Sequence, residues 1–316
     1  MTPLRVGLVG TGPHAAEVAV PTLMSTPGVT LAAICSQDAS AQELAGAWGV
    51  EGVQATIEEF VKIGEFEAVV LASTPNDHET ALALGADLSL PMYVETPPAL
   101  SAQPLRRYAE ADAGREKPVP SFVGLHLRYA AMTRAALDHV AAHGRIIHVA
   151  MDCHDSTPRG ALWGRDPLDS LLLATGIQPL GVMAELLGWP AADTLTSAEV
   201  TQTRKDDCFV TADFTTRTTR GTLRMSNTRN RFLFDTTVTC VDGWSISWTL
   251  DEVVVYSPGS KEESRHVCSP TLFGGEKAGY SAAMREFRDA CLGKSESRST
   301  VEQSLVVMEW IERLRA

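Results

Sequence analysis

Gly10, Gly12 and Ala15 form the pattern G-x-G-x-x-A directly behind the apolar run Leu4-Arg5-Val6-Gly7-Leu8-Val9. Such spacing serves diphosphate binding: the first glycine allows a tight turn, the second lets the anion approach the backbone, and the small third residue packs a helix on a strand. A helix-compatible stretch continues to Thr26, and the N–H groups at its start would hold the anion, with Thr11 between the glycines. A plain turn between strand and helix is the alternative. Proton-handling side chains fall further along, at His126 and Arg128 in Gly124-Leu125-His126-Leu127-Arg128-Tyr129 and at Asp152, His154 and Asp155 in Met151-Asp152-Cys153-His154-Asp155. Histidine is the side chain best suited to giving or taking a proton near neutral pH. Strand alternation puts Asp152 and His154 on one face, where a strand-end salt bridge is the alternative to a ligand contact.

The elements that must carry these residues show one rhythm in the first part of the chain. Residues 29–35, 68–72 and 92–94 read as strands, and 39–48, 57–63 and 78–88 as helices, an alternation that predicts a parallel, doubly wound sheet. The ligand crevice of such a sheet lies beyond the carboxyl ends of its strands. Ser73-Thr74-Pro75-Asn76 and Glu95-Thr96-Pro97-Pro98 therefore point at it. The second strand ends in Cys35-Ser36-Gln37-Asp38, with Ser36 where an acid would bind a ribose 2′-hydroxyl. This favours NADP(H) over NAD(H), the other reading being that Asp38 reaches the ribose or that neither cofactor is strongly preferred. In the second half, residues 146–153, 196–203, 208–216, 221–227, 231–241, 244–249 and 252–256 read as strands rich in Thr, Val and Phe, and 169–187, 280–292 and 301–315 as helices.

The 316 residues suggest two domains. Lys+Arg 27 against Asp+Glu 39 leaves a net charge of −12, which repels nucleic acid and anionic membrane surfaces. The six cysteines form no C-x-x-C pair and no cluster with histidine at zinc-ligand spacing, so no metal is expected and a reducing cytoplasm is the simplest setting. No charged segment leads into an apolar core at the start, and no apolar run reaches about 18 residues, so neither export nor a membrane span is expected. Arg217, Arg220, Arg224, Arg229 and Arg231 make a basic stretch; solvated strand faces or salt bridges weigh against anion binding there.

Gly10-Thr11-Gly12, Ala72-Ser73-Thr74-Pro75-Asn76-Asp77-His78, Tyr93-Val94-Glu95-Thr96-Pro97 and the order of segments to the C-terminus resemble the glucose-fructose oxidoreductase / inositol dehydrogenase (Gfo/Idh/MocA) family over nearly the whole chain. The resemblance implies an α/β protein. Residues 1–124 would form a Rossmann domain with a doubly wound parallel sheet for NAD(P). Residues 125–316 would form an α/β domain with a large open, mainly antiparallel sheet that binds a small-molecule substrate and mediates a homodimer or higher homo-oligomer, with the C-terminal helices packing back on the Rossmann domain. Gly10, Thr11, Gly12, Ser36, Gln37, Thr74, Pro75, Asn76, His78, Glu95 and Pro97 are then the cofactor-binding candidates. Arg128, Asp152, His154, Trp163 and Arg165 are the substrate-side candidates, the last two in a loop resembling one that closes over the pocket in relatives.

The same resemblance exposes a departure. Relatives carry a Glu-Lys-Pro motif with a lysine beside the nicotinamide and an Asp-x-Gly-x-His motif with a proton-transferring histidine; here the motifs read Glu95-Thr96-Pro97 and Ala174-Thr175-Gly176-Ile177-Gln178, and Gly181 stands where a further Asp is common. Alcohol oxidation needs a base for the hydroxyl proton and a cation for the developing alkoxide. Neither Thr96 nor Gln178 is a useful base near neutral pH. The expectation is an oxidoreductase that reduces a C=N or C=O bond of a small specialised metabolite, with His126, Thr96, Gln178 and Tyr129 as the catalytic candidates. A cofactor-binding protein without redox turnover, or a non-redox enzyme on the same scaffold, is the alternative.

Overall fold

The computed structural model describes residues 2–155, 162–202, 205–229, 231–259, 261–272 and 274–316, without the side chains of residues 84 and 86–88. The chain divides into two compact units, one of Met1–Gly124 with Tyr280–Leu305 and one of Leu125–Gly279 with Val306–Ala316.

In the first unit β1 (Leu4–Val9) leads into a helix that opens with a π-helical stretch, Ala15–Ala19, and continues as α1 (Val20–Ser25). There follow β2 (Val29–Cys35), α2 (Ser40–Trp48), β3 (Gly52–Gln54), α3 (Ile57–Ile63), β4 (Ala68–Leu71), α4 (Pro75–Leu88), β5 (Met92–Val94), α5 (Gln103–Ala113) and β6 (Ser121–Val123). The strands lie in the order β3-β2-β1-β4-β5-β6, every neighbouring pair parallel. Strand order thus reverses between β1 and β4, the place where open α/β sheets put their ligands. Val6, Leu8, Val70, Leu71, Tyr93 and Val94 are buried, the near-continuous apolar pattern of strands covered on both faces. β3, β6 and α5 escape the sequence reading. The two strands are three residues long, too short for periodicity, and α5 buries only Leu105 and Tyr108.

Two contacts hold the carboxyl-end rim of this sheet. Gly10 has φ +103°, and a Cβ there would lie 2.6 Å from the Ala72 carbonyl oxygen, so the turn after β1 rests directly on the chain leaving β4. His78, in the first turn of α4, is buried; its Nδ1–H donates to the Pro97 carbonyl at 3.0 Å and its Nε2 accepts from the Ser73 N–H at 3.1 Å. One neutral tautomer satisfies both bonds, and burial pushes its pKa down to about 4. α4 itself begins at Pro75, three residues before its predicted start, because Thr74 caps it in a capping box with Asp77.

The second unit opens with a 3₁₀ turn, His126–Tyr129, then α6 (Ala131–Ala142), β7 (Ile146–His154), α7 (Pro167–Leu171), a π-helical stretch Leu172–Gly176 and α8 (Ile177–Leu186). The predicted single helix over 169–187 is therefore three segments. A 3₁₀ turn, Ala192–Thr194, precedes β8 (Leu195–Gln202), β9 (Cys208–Thr215), β10 (Arg220–Ser226), β11 (Leu233–Cys240), β12 (Ser245–Thr249), β13 (Glu252–Ser257), β14 (Lys261–Val267) and α9 (Gly274–Lys277). Residue 203, the predicted end of β8, lies outside the described residues. The sheet order is β14-β13-β12-β11-β7-β10-β9-β8, with β7–β10 the parallel pair and the other pairs antiparallel. Val149, Met151, Phe214, Leu223, Val238 and Trp248 are buried on one face, while Ala150, Asp152, Thr222, Arg224, Thr237 and Ser247 alternate with them and remain more exposed. One face is covered and the other open. β14 escapes the sequence reading because Lys261-Glu262-Glu263-Ser264-Arg265-His266-Val267 is a charged edge strand without an apolar face.

α10 (Tyr280–Cys291) belongs to the first unit, where Phe287 meets Tyr93 edge-on at 5.7 Å and Arg288 donates to the Pro27 carbonyl. Ser299 donates to the Val123 carbonyl of β6 at 2.7 Å. α11 (Val301–Arg315) counts with the second unit from Val306 onward, and there Trp310 packs edge-on to Phe214 at 4.7 Å. The α/β class, a parallel sheet in the first unit and a larger, mostly antiparallel one in the second agree with the sequence reading, while the first sheet has two more strands than were read.

Replacing Gly10 by Ala should cost roughly 2–3 kcal/mol, since it adds an unfavourable φ to a backbone collision; the check is a lowered urea midpoint with an unchanged slope. His78 supplies a pH test. The unfolded imidazole titrates near 6.5 and the folded one near 4, so the unfolded chain binds more protons in that window and stability falls as the pH drops from about 6.5 toward 4, by roughly 3 kcal/mol. His78→Gln should remove that slope in equilibrium unfolding across pH 4–7.

Candidate functional site

In the first unit the ends of β1, β2, β4 and β5 bring together Gly10–His14, Ser36–Asp38, Ser73–Asn76 and Glu95–Pro97. The two glycines have different reasons to be glycine. Gly10 is required by the fold, whereas a Cβ on Gly12 would meet no protein atom within 4 Å and Gly12 is absent from the positive-φ positions. Neither strain nor packing explains Gly12; close approach of an anion to the start of the helix does. The buried Thr11 hydroxyl lies 2.8 Å from Ser36 Oγ and 3.2 Å from Ser40 Oγ. Ser36 Oγ accepts from the Asp38 N–H at 3.1 Å and donates to Asp38 Oδ2 at 3.5 Å, while Gln37 and Asp38 are exposed. Ser73 Oγ is buried without a hydrogen-bond partner. An open cradle at Gly12, a hydroxyl cluster at the end of β2 and an orphaned hydroxyl after β4 together fit a dinucleotide.

Several predicted cofactor residues turn out to shape the rim. His78 is buried with both ring nitrogens engaged by backbone, so it braces the loops and does not face a ligand. The Thr74 hydroxyl donates to Asp77 Oδ2 at 2.9 Å within the helix cap, Pro75 is buried at the first helical position, and Asn76 is exposed. The Thr96–Pro97 peptide is cis, Thr96 is half-buried, and the Pro97 carbonyl receives His78. Glu95 is buried, its Oε2 3.5 Å from Nε2 of His14. The sequence reading passes over His14. The available signal was a titratable residue inside the glycine pattern. Burial works to lower the pKa of His14, yet Glu95, aided by Glu17, leaves it raised.

In the second unit the 3₁₀ turn His126–Tyr129 is seated by neighbours on both sides. The Leu127 N–H donates to Gln178 Oε1 at 3.3 Å, and His126 Nδ1–H donates to the Ala278 carbonyl at 2.9 Å. Gly279, at φ +95°, lies so close that a Cβ would stand 2.2 Å from the His126 carbonyl. A carbonyl only accepts, so Nδ1 keeps its proton and Nε2 is the nitrogen that gains or loses one. Tyr129 is buried, and Arg128 is buried with Nε 2.8 Å from Glu185 Oε2 and its guanidinium 4.4 Å over the Trp189 ring. Arg128 thus also holds the fold, since a buried guanidinium needs its carboxylate.

Asp152 and His154 do share a face, Oδ1 and Nε2 lying 3.4 Å apart. Asp152 also pairs with Arg224 across β7–β10 at 2.6 Å, the strand-end salt bridge named as the alternative. His154 is buried with Nδ1 2.7 Å from Ser226 Oγ; burial, and then Arg229, lower its pKa. Asp155 accepts from Thr175 Oγ1 at 2.9 Å, Thr175 lying in the π-helical stretch. Trp163 and Gly164 both have positive φ, +52° and +73°, and Arg165 reaches Asp169 at 3.8 Å. The two π-helical stretches overlap the two motifs, at Ala15 and at Ala174–Gly176, as such distortions often do at functional sites. Among the described residues no group of three or more His, Cys, Asp or Glu could hold a metal ion, and no helix is long and apolar enough to cross a membrane.

No curated protein sequence matches the chain. Among solved structures it is similar to a dehydrogenase from Chromobacterium violaceum, with 22% identity, a TM-score of 0.88, and coverage of 100% of this chain and 95% of that one. It is also similar to GenD2 from gentamicin A biosynthesis in complex with NAD, with 22% identity, TM-score 0.79, and 99% and 93% coverage. A third is myo-inositol dehydrogenase from Lactobacillus casei in complex with NAD(H) and myo-inositol, with 17% identity, TM-score 0.78, and 99% and 94% coverage. These likenesses establish the shared fold. Residues 4–122 match the Gfo/Idh/MocA family model, described as oxidoreductase family, NAD-binding Rossmann fold.

Proposed function

We propose that the protein is a nicotinamide-dependent reductase that delivers a hydride to a C=N or C=O bond of a small specialised metabolite. The observation that carries this reading is Gln178. At the position of the family's proton-transferring histidine stands an amide that cannot titrate, its Oε1 accepting the Leu127 N–H. With Thr96 at the lysine position, the family's usual base and cation for alcohol oxidation are both replaced. Reduction of a pre-formed imine or iminium needs less, since hydride addition leaves at most one proton to deliver. The dinucleotide supplies the hydride when bound. Gly12 would admit its diphosphate, Thr11 and Ser36 would hold its ribose, and the Thr96 hydroxyl would donate a hydrogen bond in place of the lysine. His126 is the proton donor, its Nδ1–H fixed on Ala278 so that Nε2 of the imidazolium releases the proton, and the Gln178 amide orients the substrate.

The preference for NADP(H) drawn from Ser36 is reversed by its neighbour. The Asp38 carboxylate lies 3.5 Å from Ser36 Oγ, and negative charge there opposes a 2′-phosphate, so we assign NAD(H). The open polar face of the eight-stranded sheet supports self-association as a homodimer or higher homo-oligomer.

Calorimetry on cofactor-free protein should show NADH binding more tightly than NADPH, and Gly12→Val should weaken NADH at least about tenfold with the thermal midpoint unchanged, because the side chain meets the ligand and not the protein. Deuteride from C4-labelled NADH should appear in the product of a cyclic imine or carbonyl panel, and His126→Asn should slow that transfer roughly 100-fold or more. Binding without label transfer would leave a cofactor-binding protein without turnover. Ready oxidation of myo-inositol or glucose would overturn the loss of the base.

A further inference from the structure

His14 stands inside the glycine turn, as the residue capping the π-helical stretch Ala15–Ala19, half-exposed, with Nε2 3.5 Å from Oε2 of buried Glu95. Its ring lies 5.9 Å from that of Tyr280 in the same unit. A cation at a helix N-terminus is ordinarily disfavoured by the helix dipole. Here the buried carboxylate of Glu95 faces it, and a buried carboxylate is itself costly without an opposite charge. The result is an imidazole held two residues from the open face of Gly12, where the anionic diphosphate approaches the backbone.

We propose that dinucleotide binding is coupled to protonation of His14, with Glu95 as the carboxylate that holds the imidazolium on the glycine turn. The inference rests on the dinucleotide reading above and adds a proton to it. The ionisable groups around His14 are Glu17 on its own helix, Glu95 after β5, Tyr280 on α10 and His78 on α4. His78 stays neutral near pH 7 and Tyr280 is a phenol, so the two glutamates set the local charge. They leave the imidazole easier to protonate than in water. An anionic diphosphate beside it raises its proton affinity further. By reciprocity, whatever the diphosphate does to the proton affinity, the proton does to the diphosphate affinity. Binding therefore takes up a fraction of a proton, and the complex tightens as the pH falls through the titration of His14. A displacement of one pH unit between the free and bound titrations corresponds to about a tenfold change in Kd.

The test is calorimetry with NADH from pH 6 to 9, in buffers of different ionisation enthalpy so that proton uptake is counted, together with NMR titration of the imidazole in the cofactor-free protein. Wild type should bind about tenfold more tightly at pH 6 than at pH 9, with measurable proton uptake between. His14→Gln should be flat across that range at the weaker limb, with no uptake. In the cofactor-free protein Glu95→Gln should move the His14 titration to lower pH, a result that does not depend on turnover or on the cofactor. A wild-type Kd that does not change with pH, a His14→Gln protein that keeps the wild-type slope, or a His14 titration indifferent to Glu95→Gln overturns the proposal while leaving the reductase reading intact. Absence of NADH and NADPH binding at every pH overturns both.

Discussion

The turn after β1 has no room for a side chain, because at Gly10 it lies against the backbone of Ala72 and Ser73 as the chain leaves β4. Much of the first unit follows from that abutment. It seals the line where strand order reverses, sets the glycine turn at the carboxyl edge, and brings the loop after β4 to the same rim. His78 then extends the frame to the loop after β5 through two bonds to backbone. A rim built from main-chain contacts and one buried imidazole does not depend on the side chains at its surface. That is why the half-buried Thr96 sits on this rim without taking part in the bonds that hold the strand, the turn and the helix cap around it.

Two histidines on this rim experience opposite electrostatics. His78 is enclosed, its nitrogens matched to a carbonyl and an N–H, and burial outweighs the pull of nearby Glu95 to keep it neutral. His14 is half-exposed and directly opposite the same carboxylate, so the balance reverses. Depth and partner decide protonation, not residue type.

The second unit treats its polar residues differently. Arg128 is matched to Glu185, Asp152 to Arg224, Asp155 to Thr175 and Gln178 to the Leu127 backbone. The Arg128, Asp155 and Gln178 pairings each satisfy a buried group, where burial without a partner is costly, whereas Asp152 and Arg224 pair on the more exposed face of the sheet. Arg128 and Asp152, substrate-side candidates by type and spacing, thereby also hold neighbouring side chains. His126 is likewise anchored, its Nδ1–H donating to the Ala278 carbonyl.

Local rules were enough for much of the architecture. Apolar runs broken by glycine turns and helix patterns determine a parallel sheet in the first unit, and alternation over residues 146–256 determines a sheet with one covered face, because both are properties of short windows of chain. The three-residue strands β3 and β6 exist only by pairing with neighbours, and β14 carries charge where periodicity looks for apolar residues. For the site, the G-x-G-x-x-A pattern was legible, including both glycines, but not the reason for each: Gly10 answers to the backbone after β4 and Gly12 to nothing in the protein. That His14 faces Glu95 eighty-one residues away, that Asp38 approaches Ser36, and that Arg128 is buried on Glu185 were decided by tertiary structure alone. Charge pairing acts through space, and sequence separation carries no record of it.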